Sequence, residues 1–367
     1  MTLHRLAQVP RGVQCFVGDE ARRRRSIERR IVEVFEGWDY EEIIPPLYDY
    51  AEVFSDPDLR PRTLSFVGRE GDVLALRSDF TSLLAKIAAG RLSQRSAPMR
   101  LYYSGEVLRD EAPGAGRQSE LHQMGLEHLG GDRCAADAEV VAIAAECMDG
   151  LDLADWVIAI GHIGVFTRLV ESMEVDPESQ EALRERVDAK DPAGVRELLD
   201  ARGVSADLAR AIGALMQQAG QRMQVLPALE QALAVCPPAQ VALGELRELV
   251  SALEAAGLGE RLLIDLAEVR GLGYYTGVVF RAYAPGLGYD IGRGGRYDSL
   301  LGRFGREMPA VGFMFGLDHL ASLLDESDAA PAEAEAVRAH ELGTALREAR
   351  ERRTQGTRVR MDDGANR

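Results

Sequence analysis

The sequence predicts an α+β fold in which an antiparallel sheet is flanked by helices and carries a helical insertion. Two long strand patterns, at residues 99–111 and 117–130, enclose the turn-rich string APGAG, which is typical of an antiparallel hairpin. Helical periodicity then dominates residues 166–257. Strand patterns return in residues 262–316, so strands lie on both sides of a helical block, which favours one interrupted mixed sheet.

Local sequence signals indicate where the other helices and strands begin and end. Asp19 and Gly37 begin and end a first helix, and the prolines of YEEIIPPL end the strand pattern after it, which indicates an edge strand. Gly90 ends a short helix that starts near Thr81. The remaining elements are expected as two strands around a glycine-bounded turn in residues 63–77, a helix in 132–150, a strand in 155–165 and a closing helix in 317–324.

The same patterns divide the chain into three parts. Residues 1–165 and 258–325 are expected to form one mixed domain, and residues 166–257 a helical insertion within it. The string ESDAAPAEAEAV then starts a segment rich in Ala, Glu and Pro. Too few apolar residues follow it to bury a second core, so residues 326–367 are expected to be a linker and a tail with one helix and a short strand.

Composition limits the classes of function. The 367 residues contain no apolar run of about 18 residues that could span a bilayer, and the N-terminal sequence lacks the order of a secretory signal, so a cytoplasmic protein is expected. The net charge of -16 disfavours a large surface that binds nucleic acid, and RRRR at residues 22–25 fits a solvated helix face or a protein contact better than RNA binding. The four cysteines are scattered, so neither a metal site nor a cofactor is expected.

Four polar residues occur where a ligand site is favoured. Asp79 and Thr81 lie at a strand-to-helix junction, where they can face a cleft or cap the helix, and capping alone explains them. Gln123 and Glu127 are four residues apart on a predicted strand and therefore lie on one face. Buried polar groups at alternate positions of an apolar strand need partners, which favours a polar ligand over simple packing.

Arginines and tyrosines mark further regions. Arg109 and Glu111 alternate along a strand, share a face and can act together. Two glycine-rich strings contain Arg270, Tyr274 and Tyr275 in EVRGLGYYTGVVF, and Arg293, Arg296 and Tyr297 in GRGGRYDSL. Neither string carries a complete phosphate-binding pattern. A ligand-binding role for these residues and an ordinary role as core tyrosines or surface arginines therefore remain equally open.

In this order, the segments of residues 10–325 resemble the catalytic domain of histidyl-tRNA synthetase, a class II aminoacyl-tRNA synthetase. YEEIIPPL is similar to the first class II motif, which forms the dimer interface, and GEVLRDEAPGAGRQSELHQMGLE to the second. EVRGLGYYTGVVF resembles the segment specific to the histidine enzymes, and GRGGRYDSLLGRFG with PAVGFMFGLDHL resembles the third motif. The resemblance implies a class II aminoacyl-tRNA synthetase-like antiparallel sheet and a dimer.

The resemblance also implies a retained pocket for the amino acid histidine. Acidic side chains suit the ammonium and imidazole groups of histidine, while hydroxyl and amide groups fix its orientation. The positions that match the family's histidine-binding residues are Asp79, Thr81, Gln123, Glu127, Arg270, Tyr274, Tyr275 and Tyr297.

Several positions that correspond to the family's ATP-binding residues carry other residues in this sequence. His319 stands where the family's third motif has an arginine, and an imidazole does not make the bidentate contact of a guanidinium. Gly273 replaces an aspartate, and Ser119 stands where an arginine is often found. Each lost preorganised contact removes about 2–4 kcal/mol of transition-state stabilisation. The vestiges of the nucleotide site are Arg109, Glu111, Arg117 and His319.

A retained histidine pocket, a degraded ATP site and no anticodon-binding domain are similar to the family of ATP phosphoribosyltransferase regulatory subunits. That resemblance implies a protein without activity of its own, which binds L-histidine and activates and feedback-regulates a short-form catalytic subunit in histidine biosynthesis. The tail is then a possible remnant of the anticodon-binding domain, and tRNA is not expected as a partner. The alternatives are a minimal histidyl-tRNA synthetase or histidine-adenylating enzyme, and a synthetase-derived protein with another partner.

Overall fold

The computed structural model describes residues 8–54, 56–57, 59–111, 118–220, 223–269, 273–324, 334–338 and 341–362. Its helices are α1 (Gly18–Gly37), α2 (Thr81–Ala89), α3 (Arg133–Gly150), α4 (Ile163–Glu171), α5 (Pro177–Asp188), α6 (Pro192–Ala201), α7 (Ala206–Gln217), α8 (Leu226–Ala232), α9 (Pro237–Ala255), α10 (Leu317–Leu323) and α11 (Leu342–Thr354). Its strands are β1 (Glu41–Glu42), β2 (Tyr48–Tyr50), β3 (Ser65–Val67), β4 (Val73–Leu76), β5 (Met99–Leu108), β6 (Glu120–Leu129), β7 (Val157–His162), β8 (Leu262–Ile264), β9 (Val278–Tyr283), β10 (Gly292–Arg296), β11 (Ala310–Gly316), β12 (Glu335–Val337) and β13 (Val359–Met361).

Eight strands form one sheet in the order β1, β5, β6, β11, β10, β9, β7, β8. Neighbours are antiparallel except at the two ends, where β1 pairs with β5 and β7 pairs with β8 in parallel. β5 and β6 form the predicted hairpin, in register from Met99 opposite Leu129 to Leu108 opposite Glu120. The predicted α+β class is confirmed, and β1 lies at an edge, as the prolines after it indicated. No helix in the described part of the chain is long and apolar enough to cross a membrane.

The two faces of the large sheet differ in polarity. Side chains alternate along β6, so Met124 and Leu126 point to one face while Gln123 and Glu127 point to the other. The apolar face packs against α1 and α3, where Phe35 meets the sheet in the main hydrophobic core. The opposite face carries Gln123 and Glu127, which the sequence singled out, beside a second and smaller apolar cluster that includes Leu101, Tyr103 and Leu129. We call it the polar face.

Helices α4 to α9 fill the region of continuous helical periodicity. The predicted stripe on α9, from Leu246 to Leu253, is buried, as are Ile212 and Leu215 on α7. These side chains belong to the same continuous cluster of buried residues as the apolar face of the sheet. The boundaries 166–257 of an insertion stay a prediction. Helices α5, α6 and α7 each begin at a residue whose side chain accepts a backbone N–H, namely Asp176, Asp191 and Ser205.

Residues 17–23 and 325–367 form a second compact unit. In it, β12 and β13 pair in parallel and α11 lies between them in the chain. Val337, Ala345 and Ala349 form a small buried cluster, against which Val359 packs. The sequence predicts one helix and one strand here. The additional strand β12 comes from the Ala- and Glu-rich string, whose composition indicated a linker.

A buried ion pair joins α3 to the end of β10. Arg296 is 2% exposed, and its Nη2 and Nε atoms donate to Asp137 Oδ1 at 2.6 and 2.9 Å. Nη1 donates to Asp298 Oδ1 at 2.9 Å. Burial raises the pKa of Asp137 to about 6, against the hydrogen bonds from Arg296 that lower it. Arg296 is therefore a buried structural residue, and the surface arginine that the sequence left open as an explanation is wrong for this position.

Replacing Arg296 by methionine is expected to lower the free energy of unfolding by about 3–5 kcal/mol, because the buried Asp137 loses its counter-ion. Urea denaturation followed by circular dichroism at pH 8 measures this. The matched control is Arg30→Met, which removes the exposed pair between Arg30 and Asp152 and is expected to cost at most about 1 kcal/mol. Equal losses in the two variants would contradict a special role for the buried pair.

Candidate functional site

The candidate site lies on the polar face of the large sheet, where Gln123 and Glu127 stand opposite glycines and one of these glycines makes room for Glu127. Gln123 is opposite Gly105 on β5, and Glu127 is opposite Gly312 on β11. A Cβ atom at Gly312 would overlap Glu127 Oε2, so the carboxylate lies against β11 only because this position has no side chain. The register of the strands thus shapes a recess beside the two polar residues.

Glu127 is the most connected residue of this recess. It is 1% exposed; Thr81 Oγ1 donates to its Oε1 at 2.7 Å, and the Tyr297 hydroxyl donates to its Oε2. Burial raises the pKa of Glu127 to about 7, while these two hydrogen bonds act in the opposite direction. A cationic ligand placed here would favour the ionised carboxylate, because opposite charges attract strongly in a buried site.

Asp79 combines the two roles that the sequence left open. Its Oδ1 accepts from the Ser82 backbone N–H at 2.7 Å and so caps α2. Its Oδ2 is buried and has no hydrogen-bond partner in the described part of the chain. Burial raises the pKa of Asp79, although the Ser82 hydrogen bonds and the charge of Arg109 lower it. A buried acceptor without a partner is costly and indicates a place for a ligand donor.

Tyrosines line the same recess. The Tyr274 ring meets the Tyr275 and Tyr297 rings edge to face, with centroids 5.2 and 5.7 Å apart. Burial raises the pKa of Tyr274 and Tyr297, so both hydroxyls stay protonated. The Tyr275 ring lies over Gly295, where an added Cβ would come within 2.8 Å of its Cε1. The three predicted tyrosines therefore lie together with Thr81 and Glu127.

The residues expected on the nucleotide side have other partners. Arg109 Nε donates to the Ser78 carbonyl at 3.0 Å, and Arg62 donates to Glu111 at 2.9 Å. His319 Nδ1 lies 3.1 Å from the Asp290 carbonyl oxygen, and its ring centroid lies 4.7 Å from that of Tyr289. Arg117 and Arg270 lie outside the described residues.

Two residues of this face were missed from the sequence. Tyr103 on β5 is opposite Gly125, and a Cβ at Gly125 would lie 2.6 Å from its hydroxyl. Alternation on β5 would have placed it on the face of Gln123, had the register been known. Asp290 binds Arg293 through both oxygens, at 2.9 and 3.0 Å, and the spacing of three residues was a visible signal. Among the described residues, no cluster of three or more His, Cys, Asp or Glu side chains could hold a metal.

Comparison with known proteins places the chain in a family. A model of the histidyl-tRNA synthetase family matches residues 12–320. The ATP phosphoribosyltransferase regulatory subunit of Moorella thermoacetica is 36% identical over 363 residues, which cover 97% of this chain and 92% of the relative. The chain belongs to the family of ATP phosphoribosyltransferase regulatory subunits. The protein of that name from Desulforamulus reducens is 34% identical, over 98% of this chain and 90% of its own length.

Solved structures agree with this family. An ATP phosphoribosyltransferase regulatory subunit/histidyl-tRNA synthetase from Bacillus halodurans superposes with a TM-score of 0.89 at 27% identity, covering 100% of this chain and 95% of that structure. Histidyl-tRNA synthetase from Nostoc sp. PCC 7120 has the same fold, with a TM-score of 0.81 at 24% identity over 97% of this chain and 85% of that one. The predicted resemblance is confirmed. The relatives' names describe a regulatory subunit, in agreement with the predicted non-catalytic role.

Glu127 is expected to make stability fall as pH rises. The pKa of Glu127 is about 7 in the folded protein, whereas in the unfolded chain it has the ordinary value of a glutamate. At a pH between these two values, the folded state holds a proton on Glu127 that the unfolded state has released. The free energy of unfolding therefore loses up to about 3 kcal/mol as pH rises towards 7, since one pKa unit corresponds to about 1.4 kcal/mol.

In Glu127→Gln this contribution is absent, so urea denaturation of the ligand-free variant between pH 5 and 8 is expected to show a shallower pH dependence. Glu52→Gln changes an exposed carboxylate of the same chain and is expected to keep the wild-type slope. An unchanged slope in Glu127→Gln would contradict the raised pKa.

Proposed function

We propose that this chain binds L-histidine in the recess described above and, through a complex, activates and feedback-regulates a short-form ATP phosphoribosyltransferase catalytic subunit in the cytoplasm. It performs no reaction of its own in this proposal. The names of the relatives support the regulatory part. The observation that carries the ligand part is the buried Asp79 Oδ2, an acceptor without a partner in the described residues, in the same recess as Glu127.

The chemistry of the recess suits a small cation with several N–H donors. The Asp79 and Glu127 carboxylates offer acceptors to an ammonium and an imidazole, and both gain from a positive ligand because burial raises their pKa values. Hydroxyl and amide groups around them orient the ligand. The histidine-binding set of this proposal is Asp79, Thr81, Gln123, Glu127, Arg270, Tyr274, Tyr275 and Tyr297.

The vestigial nucleotide side supports a protein without adenylation activity. The buried Asp290 carboxylate accepts from Nε and Nη2 along one edge of the Arg293 guanidinium, and it lies 3.6 Å from Arg281. His319 is tied to the backbone of the same Asp290. The charge of Arg293 is thus partly neutralised by an internal carboxylate, and His319 adds no bidentate donor for phosphate.

A second copy of the chain is the proposed partner of an exposed apolar patch around the sheet of β2, β4 and β3. Ile44 is 84% exposed and Val67 71% exposed, although both are large aliphatic residues. Apolar patches of this kind mark interaction sites. The segment YEEIIPPL, expected at a dimer interface, contributes to it. The patch consists of Ile44, Leu47, Tyr48, Tyr50, Phe66, Val67 and Val73.

The double variant Ile44→Glu/Val67→Glu is expected to be monomeric, because it places two charges in the proposed interface. Sedimentation equilibrium of wild type and variant at matched concentrations measures this. Val241→Glu alters an equally exposed valine on α9 and is expected to keep the wild-type state. A wild-type monomer, or dissociation by Val241→Glu alone, would contradict the assignment of this patch.

Calorimetric titration is expected to show one histidine per chain, with an affinity that falls about 10- to 100-fold in Asp79→Asn, the range for a lost charge-assisted hydrogen bond. Glu70→Gln changes an exposed acid in the turn between β3 and β4 and is expected to bind like wild type. Equal affinity in Asp79→Asn and wild type would contradict the proposed site.

Reconstitution with a short-form catalytic subunit tests the regulatory part. We expect the chain to raise the rate of that subunit, histidine to inhibit the complex, and Asp79→Asn to shift inhibition to at least about tenfold higher histidine, because regulation requires differential affinity between two states. Histidine-dependent pyrophosphate exchange by the chain alone would favour the enzyme alternative. Histidine binding without activation would favour another partner.

A further inference from the structure

The segment that carries Tyr274 and Tyr275 is held from two sides. Towards the sheet, the Thr276 N–H donates to the Arg296 carbonyl at 2.8 Å and the Tyr275 ring lies on Gly295. On its other side, the Gly273 N–H donates to Asp56 Oδ2 at 3.0 Å. Gly273 has no side chain that could hold the segment. The hold comes instead from the hydrogen bond between its backbone N–H and the carboxylate of Asp56, which is distant in sequence.

Asp56 is itself fixed before it meets this segment. It is 3% exposed, and its Oδ1 accepts from the Leu59 N–H at 3.2 Å. The Asp56 carbonyl accepts from the Arg60 N–H at 2.8 Å, which closes a turn. A Cβ at Gly273 would lie 3.6 Å from Pro57 Cδ, so the turn runs close beside the segment. A buried carboxylate that accepts from two backbone N–H groups is well placed to act as a rigid anchor.

The chain after this turn reaches the other end of the site. The Asp110 N–H donates to the Arg62 carbonyl at 2.7 Å, and Thr63 pairs with Arg109 as an isolated antiparallel bridge. Arg62 also donates to Glu111 at 2.9 Å. The residues that follow Asp56 are therefore attached to the strand end that carries the vestigial nucleotide residues, while Asp56 itself is attached to the tyrosine segment.

We propose that Asp56 is a positioning residue for the histidine site: its carboxylate holds residues 273–276 so that Tyr274 and Tyr275 line the recess. The inference rests on the proposed function for the identity of the ligand, but the hold on the segment exists without any ligand. Asp56 acts through Gly273 and is not assigned a contact with histidine.

Charge and position are separable at Asp56. Its charge helps to raise the pKa of Asp79 and of Tyr275, although burial is the larger cause for both groups. Asn at this position removes the charge and keeps one acceptor oxygen, which can accept from Gly273 if the NH2 group takes the place of the oxygen that faces Leu59, whereas Ala removes both acceptors and the charge. A positioning role therefore predicts rescue by Asn, and a purely electrostatic role predicts that Asn and Ala behave alike.

The test is hydrogen exchange by mass spectrometry on the ligand-free full chain, in wild type, Asp56→Ala, Asp56→Asn and the control Glu52→Ala. We expect residues 273–276 to exchange about tenfold faster in Asp56→Ala and less than about threefold faster in Asp56→Asn. Residues 310–316 of β11 are expected to be unchanged in all variants. Glu52 is an exposed acid near Asp56 in sequence, so its variant is expected to match wild type.

Histidine titration of the same four proteins completes the test. We expect affinity to fall about tenfold in Asp56→Ala and to recover to within about threefold of wild type in Asp56→Asn. Wild-type exchange of residues 273–276 in Asp56→Ala, or equal losses of affinity in Asp56→Ala and Asp56→Asn, would overturn the positioning role. Faster exchange of β11 in Asp56→Ala would show that this variant disturbs the fold, and the result for Asp56→Asn would then decide. Wild-type exchange and wild-type affinity in Asp56→Asn would support the positioning role, whereas faster exchange of residues 273–276 or a loss of affinity would overturn it.

A wild-type chain that binds no histidine would refute the proposed function. The exchange of residues 273–276 would still decide whether Asp56 holds the segment, so the two failures are distinguishable.

Discussion

The candidate site depends on one buried carboxylate. Glu127 comes from the middle of the large sheet and accepts from Thr81 at the start of α2 and from Tyr297 just after β10. Three elements far apart in sequence thus meet at a single acceptor group. The arrangement requires Gly312 on the neighbouring strand, because any side chain there would occupy the space of the carboxylate. The polar face is organised by this constraint, whereas the opposite face is organised by apolar packing.

The two halves of the site differ in whether their charged groups already have partners within the protein. On the side proposed for histidine, Asp79 has a buried oxygen without a partner in the described residues, and this oxygen can accept from a ligand donor. On the nucleotide side, Asp290 satisfies Arg293 within the protein itself. A site with open acceptors and occupied guanidinium groups favours a cationic ligand over an anionic one.

Periodicity and spacing predicted much of this molecule. The hairpin of β5 and β6, the helices from α4 to α9 and the shared face of Gln123 and Glu127 follow from local patterns. The place of β11 between β6 and β10 does not, because strand order depends on contacts between distant segments. For the same reason Tyr103 and Asp56 were not found in the sequence, whereas the pairing of Asp290 with Arg293 is local and its spacing was visible. Arg296 looked like a surface charge because its partner, Asp137, lies on another element.

Arg296 and Tyr297 are consecutive residues whose side chains point to opposite faces of the sheet. The Arg296 guanidinium is locked to α3 beneath the sheet, and the Tyr297 hydroxyl reaches Glu127 above it. The backbone between them cannot slide without breaking one of these attachments. The recess therefore has two walls that are fixed within the protein, Tyr297 through Glu127 and residues 273–276 through Asp56 and the Arg296 carbonyl. The entropic cost of ordering these walls is met by folding and not by ligand binding.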